Sequence, residues 1–388
     1  MKLINNLIKC PPNYRFNTIN NYFPIVKSLF EKVLYNIDLT SYKKEIHDYN
    51  HATISNSSKL NQINDIKTYL KSTNNTVYKP FTDCIFISTR LMHSIVTKHT
   101  ILEKVIGIYN TNRVNMWIYN ENSIDCFNDR VDISIKMTKI LTFLELLNLE
   151  NYEIDIYYAP VDIPKIFPKS KKFTPDNINS GGTIHYLNNV HIVLFRKEES
   201  DKVLLHELVH CLKLDFSMSE TYWENKSLIN REILNSFNIS QNEKYINLFE
   251  ALTDSIAIIF NSIFNCILTK SNINDYFYTE LLYGRTVANN ILIHAGYKDI
   301  EDFLTNKSTK ELKQSTSVLA YYILKCSLLN NSDTILIDFF PKFYIEWTID
   351  DIYRLYSLTK KDIHLIVNLL KNIDSKSLRM TYNSLKYE

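Results

Sequence analysis

The chain has 388 residues, 45% hydrophobic and 22% charged, with 44 basic against 42 acidic side chains and a formal net charge of +2. With no long basic tract, and Lys169-Ser170-Lys171-Lys172 too short to count as one, a nucleic-acid partner is not indicated. No run approaches the roughly 20 uninterrupted apolar residues of a membrane span. The length allows a sizeable core and roughly two or three subdomains. The cysteines Cys10, Cys84, Cys126, Cys211, Cys266 and Cys326 are scattered, with no C-x-x-C pair, which argues against a thiolate zinc site or a redox motif. At the amino terminus, Met1-Lys2-Leu3-Ile4-Asn5-Asn6 breaks its apolar run too early for a secretory signal. A cytoplasmic location is therefore expected.

The first hundred residues look mixed, with helical patterns at Phe23–Ile37 and Ile63–Leu70. The apolar stretch Cys84–Ile95 fits either strand or helix. Val114–Tyr119 reads as a buried strand, Ile133–Leu147 as a helix, and Ile154–Tyr158 as a strand stopped by Ala159-Pro160. A polar loop then runs to Asn179-Ser180-Gly181-Gly182-Thr183. Two of only five glycines sit side by side there, predicting a tight turn or a close approach of another backbone. Val190–Arg196 follows as a strand, and a helix starts near Ser200, with Ser200 or Asp201 as its N-cap. Later stretches are helical at Tyr245–Leu268, Tyr278–Ala295, Lys310–Leu329 and Lys360–Leu370. The pattern predicts an α+β fold in three parts. Residues 1–104 form a mixed region, 105–225 a mixed sheet with the helix that starts near Ser200, and 226–388 a helical subdomain.

Chemistry concentrates in His206-Glu207-Leu208-Val209-His210. Histidines four apart on a helix share one face, so two imidazoles can reach one Zn²⁺ at about 2.0–2.1 Å. Glu207 projects beside such an ion, where a carboxylate can take a proton from activated water. The pattern arises by chance in roughly one such chain in a hundred. The apolar neighbours Leu204, Leu205, Leu208, Val209 and Leu212 predict a buried cluster that needs a partner or a metal. Catalytic zinc commonly takes a third protein ligand and keeps a fourth position open. The extended motif H-E-x-x-H-x-x-G-x-x-H is excluded, because Lys213 and Phe216 hold its glycine and last histidine positions. Glu250 and Asp254 are the only acids in a strongly apolar helical stretch and lie one turn apart. Glu250 is thus the expected third ligand, and Asp254 the expected acceptor for a ligand imidazole. Glu220, Glu224, Glu232, Glu243 and Glu280 are rival ligands.

His206–His210 followed by Glu250-Ala251-Leu252-Thr253-Asp254 resembles the gluzincin, or thermolysin-like, zinc metallopeptidases. The resemblance implies a zincin-like fold, one Zn²⁺ held by His206, His210 and Glu250, Glu207 as general base, and a peptide or protein substrate. It also implies an edge strand that binds substrate backbone, for which Val190, Ile192 and Leu194 of the strand before the helix stand in order. A donor for the developing oxyanion is implied too, with His294, Tyr321 and Tyr322 as candidates. His185 and His191 are further candidates for metal or substrate contact. The stretch from Asn179 to His210 also resembles metallopeptidase-like proteins of large nucleocytoplasmic DNA viruses, including giant viruses and insect poxviruses. A viral protein of the host cytoplasm or virion is the corresponding expectation. Two alternatives share the site: a catalytically inactive zincin-fold structural or host-interaction protein, and a zinc hydrolase of non-peptide amides.

Overall fold

Branched and aromatic residues alternating with polar ones build a six-stranded sheet: β1 (Asp38–Glu45), β2 (Ile101–Tyr109), β3 (Asn112–Asn120), β4 (Glu153–Tyr158), β5 (Gly181–His185) and β6 (Val190–Leu194). The computed structural model describes residues 7–12, 14, 16–45, 66–72, 75–99, 101–120, 127–185, 190–239, 245–305, 312–366 and 377–382. Strand order is β1-β2-β3-β4-β6-β5. The pairs β1/β2 and β2/β3 are antiparallel, β3/β4 and β4/β6 parallel, and β5 runs antiparallel to β6 at the edge. Asn110 and Thr111 link β2 to β3, with Tyr109 facing Asn112 across the turn. Asn110 takes a left-handed φ of 51°, which asparagine tolerates better than most residues and which two-residue hairpins require.

The longer helices are α1 (Asn17–Asn36), α2 (Phe127–Leu146), α3 (Ser200–Cys211), α4 (Glu220–Ser236), α5 (Leu248–Thr269), α6 (Ile273–Ala295) and α7 (Ile349–Lys361). The α+β class and the helix-rich second half are as the pattern predicted. Every residue of α5 from Leu248 to Cys266 is buried. Such an all-round apolar helix belongs at the centre of a fold, and α1, α3 and α6 pack around it. Its length and composition would also suit a membrane crossing, and 89% of its most apolar window is covered by the rest of the protein.

The packing runs across the expected boundary after residue 104. A boundary after residue 104 falls inside β2, and one apolar cluster runs from Phe16 through α2, α3, α5 and α6 to Met380. A second cluster, including Phe81, Met92, Tyr119 and Phe195, covers the other face of the sheet. The ambiguous stretch from Cys84 resolves as a loop followed by a helix, Thr89–Lys98, whose N-cap Ser88 accepts from Leu91 N–H. The expected pattern at Lys360–Leu370 meets the end of α7 and a short helical turn at Ile363–Leu365, while 367–370 lie outside the described residues, as do Ile63–Asp65, Lys310–Glu311, Met1–Asn6, Cys126 and Glu243.

Candidate metal centre

Helix α3 begins at Ser200, but its N-cap is Glu199 in a left-handed conformation (φ 59°), in place of the expected Ser200 or Asp201. The Glu199 carboxylate is committed elsewhere: it pairs with the buried Lys165 at 2.8 Å and accepts the N–H groups of Met380 and Thr381. Asp201 lies in the first turn, where a carboxylate meets the positive helix end, and bridges Lys136 and Lys139. These contacts anchor the helix start and set its rotation, so that His206 and His210 face α5.

The two histidines and Glu250 converge. His206 Nε2 and His210 Nε2 are 3.2 Å apart, and Glu250 Oε2 lies 3.2 Å from the first and 3.3 Å from the second. Ligands held tetrahedrally at about 2.0–2.1 Å from one ion are about 3.3–3.4 Å from each other, so the donor set fits zinc in both chemistry and spacing. The spacing also leaves the fourth corner to something other than these three side chains.

Both imidazoles are fixed from behind. His206 Nδ1 sits 3.0 Å from Asp254 Oδ1, and His210 Nδ1 sits 2.5 Å from Asp215 Oδ2. An acceptor at Nδ1 places the proton there and leaves the Nε2 lone pair for a cation. Asp254, the expected acceptor for a ligand imidazole, lies against His206. Asp215 was missed: it follows a left-handed turn at Lys213 (φ 56°), is fully buried, and also accepts Ser217 N–H and Thr253 Oγ1, each at 2.8 Å. Its signal was an acid enclosed by Leu212, Leu214 and Phe216.

Glu207 lies beside the three donors, 6% exposed. Burial pushes its carboxyl up, and His206, His210 and the Thr183 hydroxyl only partly offset that. Thr183 Oγ1 donates to Glu207 Oε2 at 2.9 Å. The neighbouring glycines explain how β5 comes so near. A Cβ on Gly181 would lie 2.7 Å from Val203 Cγ1 and 3.0 Å from Val193 O, and one on Gly182 would lie 3.0 Å from Cys84 Sγ. Neither has a left-handed φ, so close approach, not a turn, is the reason for the pair.

Of the expected oxyanion donors, Tyr321 alone reaches the centre. Its ring stacks edge-on to His206 at 5.7 Å, and it lines the cavity beside Glu207. It belongs to a π-helical turn, Leu319–Leu324, a distortion frequent at functional sites. Burial, the nearby charges of Glu250, Glu207 and Asp254, and a hydrogen bond to Glu250 hold its phenol well above its ordinary pKa. It therefore remains a protonated donor, whose hydroxyl rests on Glu250 and must turn from it to reach a substrate oxygen. Tyr322 is corrected: its hydroxyl is spent on Leu378 O at 2.6 Å. His294 is corrected as well, since it packs on Phe167 and Phe173 and approaches Ser170 O.

The strand expectation shifts by one element. Val190, Ile192 and Leu194 lie in β6, whose backbone is paired on both sides by β4 and β5, and a strand paired twice has no edge for a peptide. Its place at the edge is taken by β5. His191 sits on the sheet against Tyr157 and Asp155. His185, at the exposed end of β5, feels the charges of Lys213, His210 and Asp215. The rivals Glu220, Glu224 and Glu232 are exposed on α4, and Glu280 is held by Thr381 and Tyr382.

The metal-free charge state has a measurable consequence. Burial alone would lower the His210 pKa, but Asp215 and Glu250 outweigh it and raise it well above 6.5; His206 is raised for a similar reason. A raised histidine binds its proton more tightly in the folded state, and a cation must displace that proton. Zinc affinity should therefore climb with pH through neutrality, by roughly tenfold or more per pH unit between 6 and 8. Competition titrations with a chelator at three pH values read this slope, and a flat profile would show that His210 is already neutral.

No family model matches the chain, and no solved structure matches it. Over 207 residues the chain is 26% identical to an uncharacterized protein, R210, of Acanthamoeba polyphaga mimivirus, covering 50% of each sequence. The chain thus spans about half the length of the curated relative it matches.

Proposed function

We propose that the chain is a zinc-dependent metallopeptidase of the gluzincin type, with a zincin-like arrangement of sheet and active-site helix. The observation that carries this reading is the triangle of His206 Nε2, His210 Nε2 and Glu250 Oε2 with 3.2–3.3 Å sides. The similarity to a mimivirus protein supports reading it as a viral protein that acts in the host cytoplasm or is carried in the virion.

His206, His210 and Glu250 would hold the ion. Zinc, when bound, supplies a Lewis acid that acidifies water and polarises a carbonyl. Glu207 takes a proton from the attacking water and later delivers it to the leaving amine nitrogen. Thr183 holds Glu207 in place through its hydroxyl. Asp254 and Asp215 keep both ligand imidazoles in the tautomer that presents Nε2. Among the described residues β5 pairs only with β6, so its outer edge is suited to take up an extended peptide by strand addition. Tyr321 supplies a neutral hydroxyl to the carbonyl oxygen as charge builds on it.

The test is zinc analysis of the purified chain together with cleavage of a diverse peptide library, before and after chelation and zinc return. One zinc per chain and chelator-reversible cleavage are expected. Stoichiometric zinc with no cleavage would favour a structural role for the ion. Tyr321→Phe should lower kcat by about 10²-fold and leave zinc content and KM nearly unchanged. An unaltered kcat would remove Tyr321 from the reaction.

A further inference from the structure

Between the start of β5 and helix α3 lies a cavity of about 20 Å³ that touches Glu207, His206 and Tyr321. That is room for about one water molecule. Its far wall is Ser180, whose hydroxyl is buried (3% exposed) and has no hydrogen-bond partner among the described residues. Its floor is Met380, brought from far along the chain, with Sδ 3.1 Å from Lys202 Nζ.

Both walls are pinned. The fully buried Arg196 guanidinium donates to the carbonyls of Asn179, Ile163 and Asp176, and Thr316 holds the Asn179 side chain at 2.8 Å. On the other side, Glu199 accepts the backbone N–H groups of Met380 and Thr381, and Tyr322 and Lys165 bind Leu378. A cavity with fixed walls cannot expand cheaply, because overpacking forces side chains off their rotamers. The two lysines that reach it, Lys165 and Lys202, are already paired with Glu199 and Asp254, which leaves the Ser180 hydroxyl as the lining polar group without a partner among the described residues.

We propose that this cavity is a specificity subsite, closed by Met380, that admits only a small side chain next to the scissile bond and prefers one carrying a hydroxyl. The proposal rests on the metallopeptidase reading and adds the substrate class to it. Serine fits best, because its hydroxyl partners Ser180; alanine and glycine fit by size, and leucine or phenylalanine do not. Met380 acts here as a specificity-determining residue. Its role is separable from folding, since the bonds to Glu199 come from the main chain and survive its truncation.

The experiment compares wild type, Met380→Ala and Ser180→Ala, all zinc-loaded, on peptides varied at the residues flanking one cleavable bond. Wild type should favour serine, alanine and glycine over leucine and phenylalanine by tenfold or more in kcat/KM at one of those positions. Met380→Ala should shift the optimum to leucine or methionine, and Ser180→Ala should erase the advantage of serine over alanine. In parallel, binding of amino-acid hydroxamates bearing serine, alanine, leucine or phenylalanine side chains is measured by calorimetry, which reads the pocket without turnover. Equal acceptance of large and small residues by wild type, or a profile unmoved by Met380→Ala, overturns the proposal while leaving the metallopeptidase reading intact. A protein that binds neither zinc nor hydroxamate overturns both.

Discussion

Glu207→Gln should abolish the proposed peptide cleavage and leave zinc binding intact. The substitution keeps the shape of the side chain, and the Thr183 hydroxyl can still donate to its carbonyl oxygen, as it now does to Oε2 at 2.9 Å. Only the proton-accepting capacity is lost. General acid–base catalysis contributes about 10²–10⁴-fold, and here one carboxylate serves both the attack and the departure of the amine, so a loss toward the upper end is expected. Glu207 lies outside the group whose donor atoms converge, His206, His210 and Glu250, so metal content should stay at the wild-type level. His210→Ala should behave differently and lose zinc together with activity. Cleavage at wild-type rate by the Glu207→Gln protein would eliminate the proposed mechanism, and loss of its zinc would mean that Glu207 is itself a ligand.

The centre was legible because its chemistry is local or nearly so. Two histidines at helical spacing fix one face of α3, and two acids one turn apart in an apolar helix fix one face of α5. Their charges would be costly to bury unless those faces met. Residues whose role comes from tertiary approach were not legible in the same way. Thr183 gives no sign that it faces Glu207; the adjacent Gly181 and Gly182 signal close packing without saying against what. Asp215 did leave a trace, as an acid within Leu212-Lys213-Leu214-Asp215-Phe216, but its partner depends on a left-handed turn at Lys213 that no glycine announced.

Val190–Arg196 reads as a strand, and Val190–Leu194 forms one, but order along the chain does not say which of two neighbouring strands lies at the edge. The pairing of β5 beyond β6 decides that, and β5 is a short, glycine-led run with a weak β signature. Likewise Tyr322 and Tyr321 are adjacent and alike in composition. The fold separates them, directing one hydroxyl to Leu378 and setting the other ring against His206. The sheet crosses the expected boundary at residue 104, and the reason it was hard to read is β1, whose run DLTSYKKE is mostly polar and gives no strand pattern to pair with the apolar β2.

Asp254→Asn should cost about 3–5 kcal/mol of stability, the range for breaking a buried ion pair by removing one partner, besides weakening zinc binding by about 10–100-fold. Asp254 is fully buried and serves three groups: His206 at 3.0 Å, Lys202, and Lys325 at 2.8 Å. Those two lysines are each 1% exposed, so a neutral amide in place of the carboxylate leaves two cations buried with little to compensate them. Burial already lowers the Lys202 pKa to about 8, with Asp254 opposing that shift; without Asp254 it should fall further. A lysine whose folded pKa lies below its unfolded value of about 10.4 binds fewer protons when folded, so stability rises with pH between the two values. The variant should therefore be most impaired at pH 6 and recover part of the loss by pH 9, over a wider window than wild type. Denaturant unfolding of the metal-free proteins at both pH values measures this. Adding Lys202→Met to Asp254→Asn should restore part of the stability, because it removes one of the stranded charges, but should not restore zinc affinity. If the double variant regained zinc binding as well, the lysine pairs, and not the bond to His206, would be what Asp254 contributes to the metal centre.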